Sequence, residues 1–131
     1  MKASLRSRTL APRWIARVQG WFYLVSGIWP LVSGGTFQAV TGYKTDFWLA
    51  QTVGLLLAAS GVVLILAANT NRVTREIALL GASQAGVLMV VDLYCVTQPH
   101  TTWSYLLDAV AEGGLLVAWL ASGSLRSRPV P

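Results

Sequence analysis

At 54% hydrophobic and only 11% charged, this 131-residue chain is too poor in charge for an ordinary soluble domain, where roughly a quarter of residues are charged. Its mean hydropathy is +0.56, and its formal charge of +5 gathers at positions that suit a membrane protein better than a nucleic-acid binder. A single cysteine, Cys95, excludes an internal disulfide, and no Cys/His spacing suggests a structural metal site.

Residues 1 to 12 are basic and polar, which predicts a cytoplasmic tail. A first apolar helix is predicted from about Trp14 to Val32, with Pro30 near its outer end. It is too long for the core of a signal peptide and lacks a clear cleavage site, so it reads as an anchor. Residues 33 to 46 carry glycine pairs and polar side chains. They read as an outer loop, with one short turn at Thr36 to Val40. A second helix is predicted from Phe47 to about Ala68, capped by Thr45 or Asp46. A third covers about Thr74 to Val96, and a fourth runs from about Trp103 to Ser122, capped by Thr101 or Thr102. Spanning a bilayer takes about 20 apolar residues, so four such helices consume the length. The expected fold is all-α: an integral membrane four-helix bundle forming one domain over 1–131, with no soluble module.

Nine of the ten basic residues fall on one side of these spans. Lys2, Arg6, Arg8, Arg13 and Arg17 precede or open the first helix. Arg72 and Arg75 lie between the second and third, and Arg126 and Arg128 close the chain; Lys44 alone falls opposite. The positive-inside rule then places both termini in the cytoplasm, in a bacterial inner membrane. Aromatic residues cluster at the expected boundaries: Trp29, Phe37, Tyr43, Phe47, Trp48, Tyr94, Trp103 and Tyr105 outside, Trp14 and Trp119 inside. Anchoring at the headgroups accounts for such a belt without a ligand. Ala50, Gly54 and Ala58 on the second helix, and Ala78, Ala82 and Gly86 on the third, form small-xxx-small faces suited to close helix packing.

The chemistry concentrates in acids within the spans. Asp108 and Glu112 are four apart and share a face of the last helix, one turn beyond Tyr105. At 1.5 Å per residue from Trp103, Asp108 lies roughly 8 Å deep and Glu112 roughly 14 Å deep. Asp92 reaches the level of Asp108, Gln51 lies at a similar depth, and Tyr23 is near the level of Glu112 in a stripe with Gln19, Ser26 and Pro30. An ionised acid facing lipid costs about 3 kcal/mol even on lenient scales, so these groups are expected to face inward. No Lys or Arg accompanies them. Either protons or a bound cation must then balance the charge. Asp92, Asp108, Glu112, Tyr105, Tyr23 and Gln51 are accordingly the expected ligand-binding residues of an outward-facing pocket. A structural alternative has the same acids hydrogen-bond to Tyr, Gln and Ser and tie the helices together. His100 could join Asp92 and Asp108 around a metal, but a lone loop histidine is usually just solvated, and no metal or cofactor is expected. Lys44 and Asp46 can pair locally to little effect.

The run Gly20-Trp21-Phe22-Tyr23 through Trp29-Pro30, then Phe37-x-x-Val40-Thr41-Gly42-x-Lys44-x-Asp46-x-Trp48-Leu49, with the later Tyr105-x-x-Asp108-Ala109-x-x-Glu112, resembles small bacterial four-helix membrane proteins of unassigned function. In size and layout it is similar to DoxX-like proteins, and more distantly to the sterol-isomerase and sigma-2-receptor group with its intramembrane acids. The resemblance is one of layout and carries no catalytic residue across. Four roles follow as expectations. The first is non-enzymatic binding of a small cationic or amphipathic ligand. The second is an accessory subunit of a homo-oligomer or larger membrane complex, docking through the aliphatic Val53 to Ala68. The third is an isomerase-type enzyme with Glu112 or Asp108 as proton donor to an apolar lipid. The last is a proton-coupled transporter, built at least as a dimer.

Overall fold

The computed structural model describes residues 12–41, 46–98 and 103–125. All regular structure there is helical: α1 Pro12–Val32, α2 Gly34–Thr41, α3 Phe47–Asn69, α4 Arg75–Val96 and α5 Ser104–Ser122. The helix α1 starts two residues earlier than expected because Pro12 fits the first helical position, where its missing N–H has no partner to lose. Pro30 is accommodated inside α1, and Ser33 N–H bonds to the Trp29 carbonyl, carrying the chain directly into α2. The expected outer loop is therefore two turns of helix for much of its length, more than the single turn read from Thr36 to Val40. Asp46 stands at the start of α3 but makes no side-chain cap; Thr45, Thr101 and Thr102 lie outside the described residues.

The helices α3, α4 and α5 are each long and apolar enough to cross a membrane. With 23 residues, α3 spans about 34 Å at 1.5 Å per residue, more than the roughly 30 Å of hydrocarbon. The 21-residue α1 matches them in length, but Arg13, Arg17, Gln19 and Tyr23 make it less apolar, and it is not among the three.

Size sorts the side chains inside out relative to a soluble protein. Alanine supplies most of the buried apolar positions: Ala16, Ala58, Ala67, Ala68, Ala78, Ala82, Ala85 and Ala109. Large aliphatics such as Leu55, Leu56, Leu66, Val87, Val90, Val110 and Val117 lie on the outside. An apolar exterior this extensive suits a protein solvated by lipid, where helices associate through small residues that let backbones approach.

Two antiparallel pairs result. Gly20 and Gly27 of α1 meet Gly61 and Gly54 of α3. A Cβ on Gly61 would lie 2.5 Å from the Gly20 carbonyl oxygen, and one on Gly27 would strike the Gly54 carbonyl. Both helices thus place glycine at a seven-residue interval on the shared face. The small face expected on α3 does pack, though through Gly54, Ala58 and Gly61, with Ala50 only half-buried. The second pair is α4 with α5. Here Ala78, Gly81, Ala82 and Ala85 are buried, while Gly86 is only partly so. The pairs meet chiefly through α1, whereas α3 and α4 scarcely touch.

The antiparallel order collects the start of α1, the end of α3, the start of α4 and the end of α5 at one end, with Arg13, Arg17, Arg72 and Arg75. There α3 terminates in a Schellman turn. Asn71 is left-handed at φ 56°, Arg72 N–H bonds to the Ala67 carbonyl at 2.8 Å, and Asn71 N–H to that of Ala68 at 3.2 Å. Arg17 donates to Asn69 Oδ1 at 3.2 Å and lies over the Trp14 ring, and Arg75 Nε donates to the Leu125 carbonyl at 3.1 Å. The opposite end, capped by α2, is the acidic and aromatic one.

Candidate functional site

A cavity of about 590 Å³ opens between the two pairs at the α2 end. All five helices contribute: Phe22, Ser26, Trp29 and Pro30 from α1, Phe37 and Val40 from α2, Val53, Gly54 and Leu57 from α3, Leu88, Asp92 and Cys95 from α4, and Tyr105 and Asp108 from α5. The lining is mostly apolar and aromatic, with a few polar groups, among them Asp92, Asp108 and Tyr105 from the α4/α5 pair, and Ser26, Thr41 and Asp46 from the rest of the wall. That is the usual make-up of a small-molecule site. Trp29 and Phe37 stand edge to face at 5.4 Å, and Phe37 continues to the Phe47 ring at 6.1 Å. Trp29 Nε1 donates to Thr36 Oγ1 at 2.9 Å, and Ser104 Oγ donates to the Val40 carbonyl at 2.9 Å. These bonds fix α2 as a roof over the opening.

The sequence-expected residues divide into three groups. Asp92, Asp108 and Tyr105 line the cavity. Glu112 and Tyr23 lie behind its wall, where Tyr23 Oη donates to Glu112 Oε2 at 2.8 Å and both side chains are fully enclosed. Gln51 is half-buried near the same end but is not on the cavity wall. Lys44 and His100 lie outside the described residues, and no three His, Cys, Asp or Glu among the described residues are grouped to hold a metal ion.

Asp92 is the unusual member. Its side chain is only 5% exposed, its carboxyl faces Asp108, and its Oδ2 is buried with no hydrogen-bond donor among the described residues. A buried polar atom left unsatisfied costs about 1–3 kcal/mol, and more for a charged group, which is why such atoms are rare in native proteins. None of the described arginines lines the cavity; all lie at the other end of the helices.

Below the cavity the interior is closed by a polar clasp that spacing did not reveal. Trp119 Nε1 donates to Gln19 Oε1 at 2.6 Å, and Gln19 Nε2 donates to the Gly81 carbonyl at 2.8 Å. Gly81 has no side chain because a Cβ there would fall 2.7 Å from both Gln19 Oε1 and Trp119 Nε1. Trp119, expected as an interfacial anchor, is in fact completely buried. Burying an indole requires an acceptor for its N–H, and Gln19 supplies it. Trp29 and Phe37 likewise line the cavity, so they do more than mark the headgroup level. A Gln19 that shares a stripe with Tyr23 and Pro30 was the one available sign of an interior partner.

No family model, curated protein or solved structure matches the chain. The reading of function therefore rests on the site.

Proposed function

We propose that this chain is a four-span protein of a bacterial inner membrane, with both ends cytoplasmic, that binds a small cationic or amphipathic molecule in the cavity beneath α2. The observation carrying this reading is the Asp92 carboxyl: buried, unpartnered at Oδ2, and on the wall of an otherwise apolar cavity. An ammonium or similar donor would satisfy that oxygen and offset the acids gathered around it. The aromatic and aliphatic walls would hold the ligand's apolar body. Asp108 and Tyr105 would add polar groups from the same pair of helices.

Glu112 and Tyr23 take the structural role in this proposal. Their mutual hydrogen bond joins α1 to α5 and leaves Glu112 off the cavity wall. Gln51 contributes only indirectly, from the neighbouring turn of α3. The α1 helix completes the fourth span because its polar residues Gln19 and Tyr23 turn inward while Val18, Trp21, Val25 and Ile28 face out. Arg13 and Arg17 at one end and the acids toward the other give the charge asymmetry that sets orientation. The clasp of Trp119, Gln19 and Gly81 supports binding over transport, because it closes the interior below the cavity with groups that do not exchange protons.

The test is to purify the protein in mild detergent and identify by mass spectrometry what accompanies it. An amine-bearing apolar molecule is expected with the natural chain and is expected to be lost from a folded Asp92→Asn variant. The same small molecules with both forms would overturn the reading, and a stoichiometric protein partner in their place would establish the accessory-subunit role.

A further inference from the structure

The cavity does not end at the acids. Along the seam where α3 and α4 scarcely touch, it continues into a groove of about 250 Å³ that shares Val53, Leu57 and Leu88 with it. Val87 and Leu56 line the groove and are themselves largely exposed, so it opens sideways onto the apolar exterior. Gln84 lies in this groove. Its Nε2 donates to Ser60 Oγ at 2.9 Å, but its Oε1 is buried with no donor. The only two buried side-chain polar atoms left unpartnered among the described residues, Asp92 Oδ2 and Gln84 Oε1, are thus both on α4, in two connected parts of one apolar trough. Eight residues separate them, a rise of about 12 Å along the helix. Leu88 lies midway and borders both parts.

We infer that the α3/α4 seam holds the extended apolar chain of a membrane amphiphile, with a cationic amine on Asp92 and a hydroxyl donor on Gln84. This deepens the proposed function and rests on its assignment of Asp92 to a cation. A compact cation would leave Gln84 Oε1 without a donor and the groove empty of chain. A simple alkylamine would fill the groove and still leave that oxygen unpaired. A chain with a donor at each of two points about 12 Å apart satisfies both atoms. Because the seam faces the hydrocarbon, such a ligand enters from the bilayer and needs no aqueous path.

The experiment compares two probes on the full chain in mild detergent: decylamine, and the amino alcohol that carries a hydroxyl at the other end of the same chain. Apparent Kd values are measured by calorimetry after correction for partition into protein-free micelles. The amino alcohol is expected to bind the natural protein about three- to tenfold more tightly, the worth of one added hydrogen bond. Gln84→Leu should erase that difference without weakening decylamine, and Asp92→Asn should weaken both probes. Equal affinity of the two probes, with Asp92 still required, would overturn the inference about Gln84 and leave the cation site standing. Failure of both probes, or binding indifferent to Asp92→Asn, would remove the cation site and this inference together. The comparison of probes on the natural chain is decisive even if Gln84→Leu does not fold.

Discussion

The contact between α1 and α3 makes a sharp demand on four glycines, and adding one methyl group tests it. At Gly61 a Cβ would sit 2.5 Å from the Gly20 carbonyl oxygen and 2.8 Å from the Leu24 nitrogen. At Gly27 it would strike the Gly54 carbonyl and approach the Ala58 nitrogen to 2.8 Å. Both sets of neighbours are backbone, so no rotamer change relieves the clash. Carbon–oxygen contacts of this kind settle at about 3.3–3.6 Å, so α1 and α3 must separate by about 1 Å. A gap of that size forfeits roughly a quarter to a half of each dispersion contact it opens. Overpacking a tight interior costs about 1–3 kcal/mol, and we expect Gly27→Ala and Gly61→Ala each to fall in the upper half of that range. Gly114, with nothing within 4 Å of its would-be Cβ, supplies the control: Gly114→Ala should be neutral or slightly stabilising, since alanine is the better helix former by about 1 kcal/mol. The pair Gly27→Ala and Gly54→Ala should lose less than the sum of its single variants, because both press on one contact and a single separation relieves both. Reversible unfolding in mild detergent, followed by circular dichroism, measures all of these. If Gly27→Ala and Gly61→Ala were as harmless as Gly114→Ala, the two helices would not be packed through this face.

Trp119→Phe leaves Gln19 Oε1 buried without its donor and should destabilise by about 1–3 kcal/mol in the same unfolding assay. Glu112→Gln keeps an acceptor for Tyr23 and should fold and retain decylamine binding, whereas a loss of binding in a folded variant would return Glu112 to the site. Leu56→Ala removes a side chain that is 64% exposed and should change stability far less than Gly54→Leu; equal losses would show that the buried face of α3 is misassigned. In a Cys95→Ser background, a cysteine at Thr41 should react with an impermeant thiol reagent from outside intact cells and one at Asn71 should not. Outside labelling at Asn71 would refute the four-span orientation.

Sequence reading captured what depends on local composition. Long, mostly apolar runs separated by polar turns mark α3, α4 and α5, and a first helix was visible from about Trp14 to Val32. Its polar content, however, separates it from the other three. The two turns of α2 were mostly missed because Gly34-Gly35 reads as a breaker, yet Ser33 continues the hydrogen-bond ladder across it. Placing the acids in one protein was straightforward; assigning their partners was not. Asp108 and Glu112 share a face by arithmetic, but one lines the cavity while the other is enclosed against Tyr23, and that division depends on how α1 approaches α5. The glycine pairs escaped for a related reason. Gly20 and Gly27 are ordinary in isolation and acquire meaning only opposite Gly61 and Gly54.

The same packing explains why a cavity exists in so small a protein. Glycine contacts bring α1 close against α3, and buried alanines lie along α4 where it packs with α5. Between the pairs, the strongest links lie toward the arginine end, where Trp119, Gln19 and Gly81 interlock, and at mid-height, where Tyr23 meets Glu112. Two rods clasped at one end diverge at the other unless something fills the gap. At the α2 end the α4/α5 pair presents the carboxyls of Asp92 and Asp108, which lie within hydrogen-bonding reach of each other, and Asp46 adds a third acid from the start of α3. Filling that space with leucine would have been the simplest route to stability, since a buried charge without a partner is more often a liability than a gain. Acids at the open end and a roof formed by α2 are the features that the proposed binding role would use. On the proposed reading, the unpaired Asp92 Oδ2 would meet the ligand's positive charge and the apolar seam below it would hold the ligand's body.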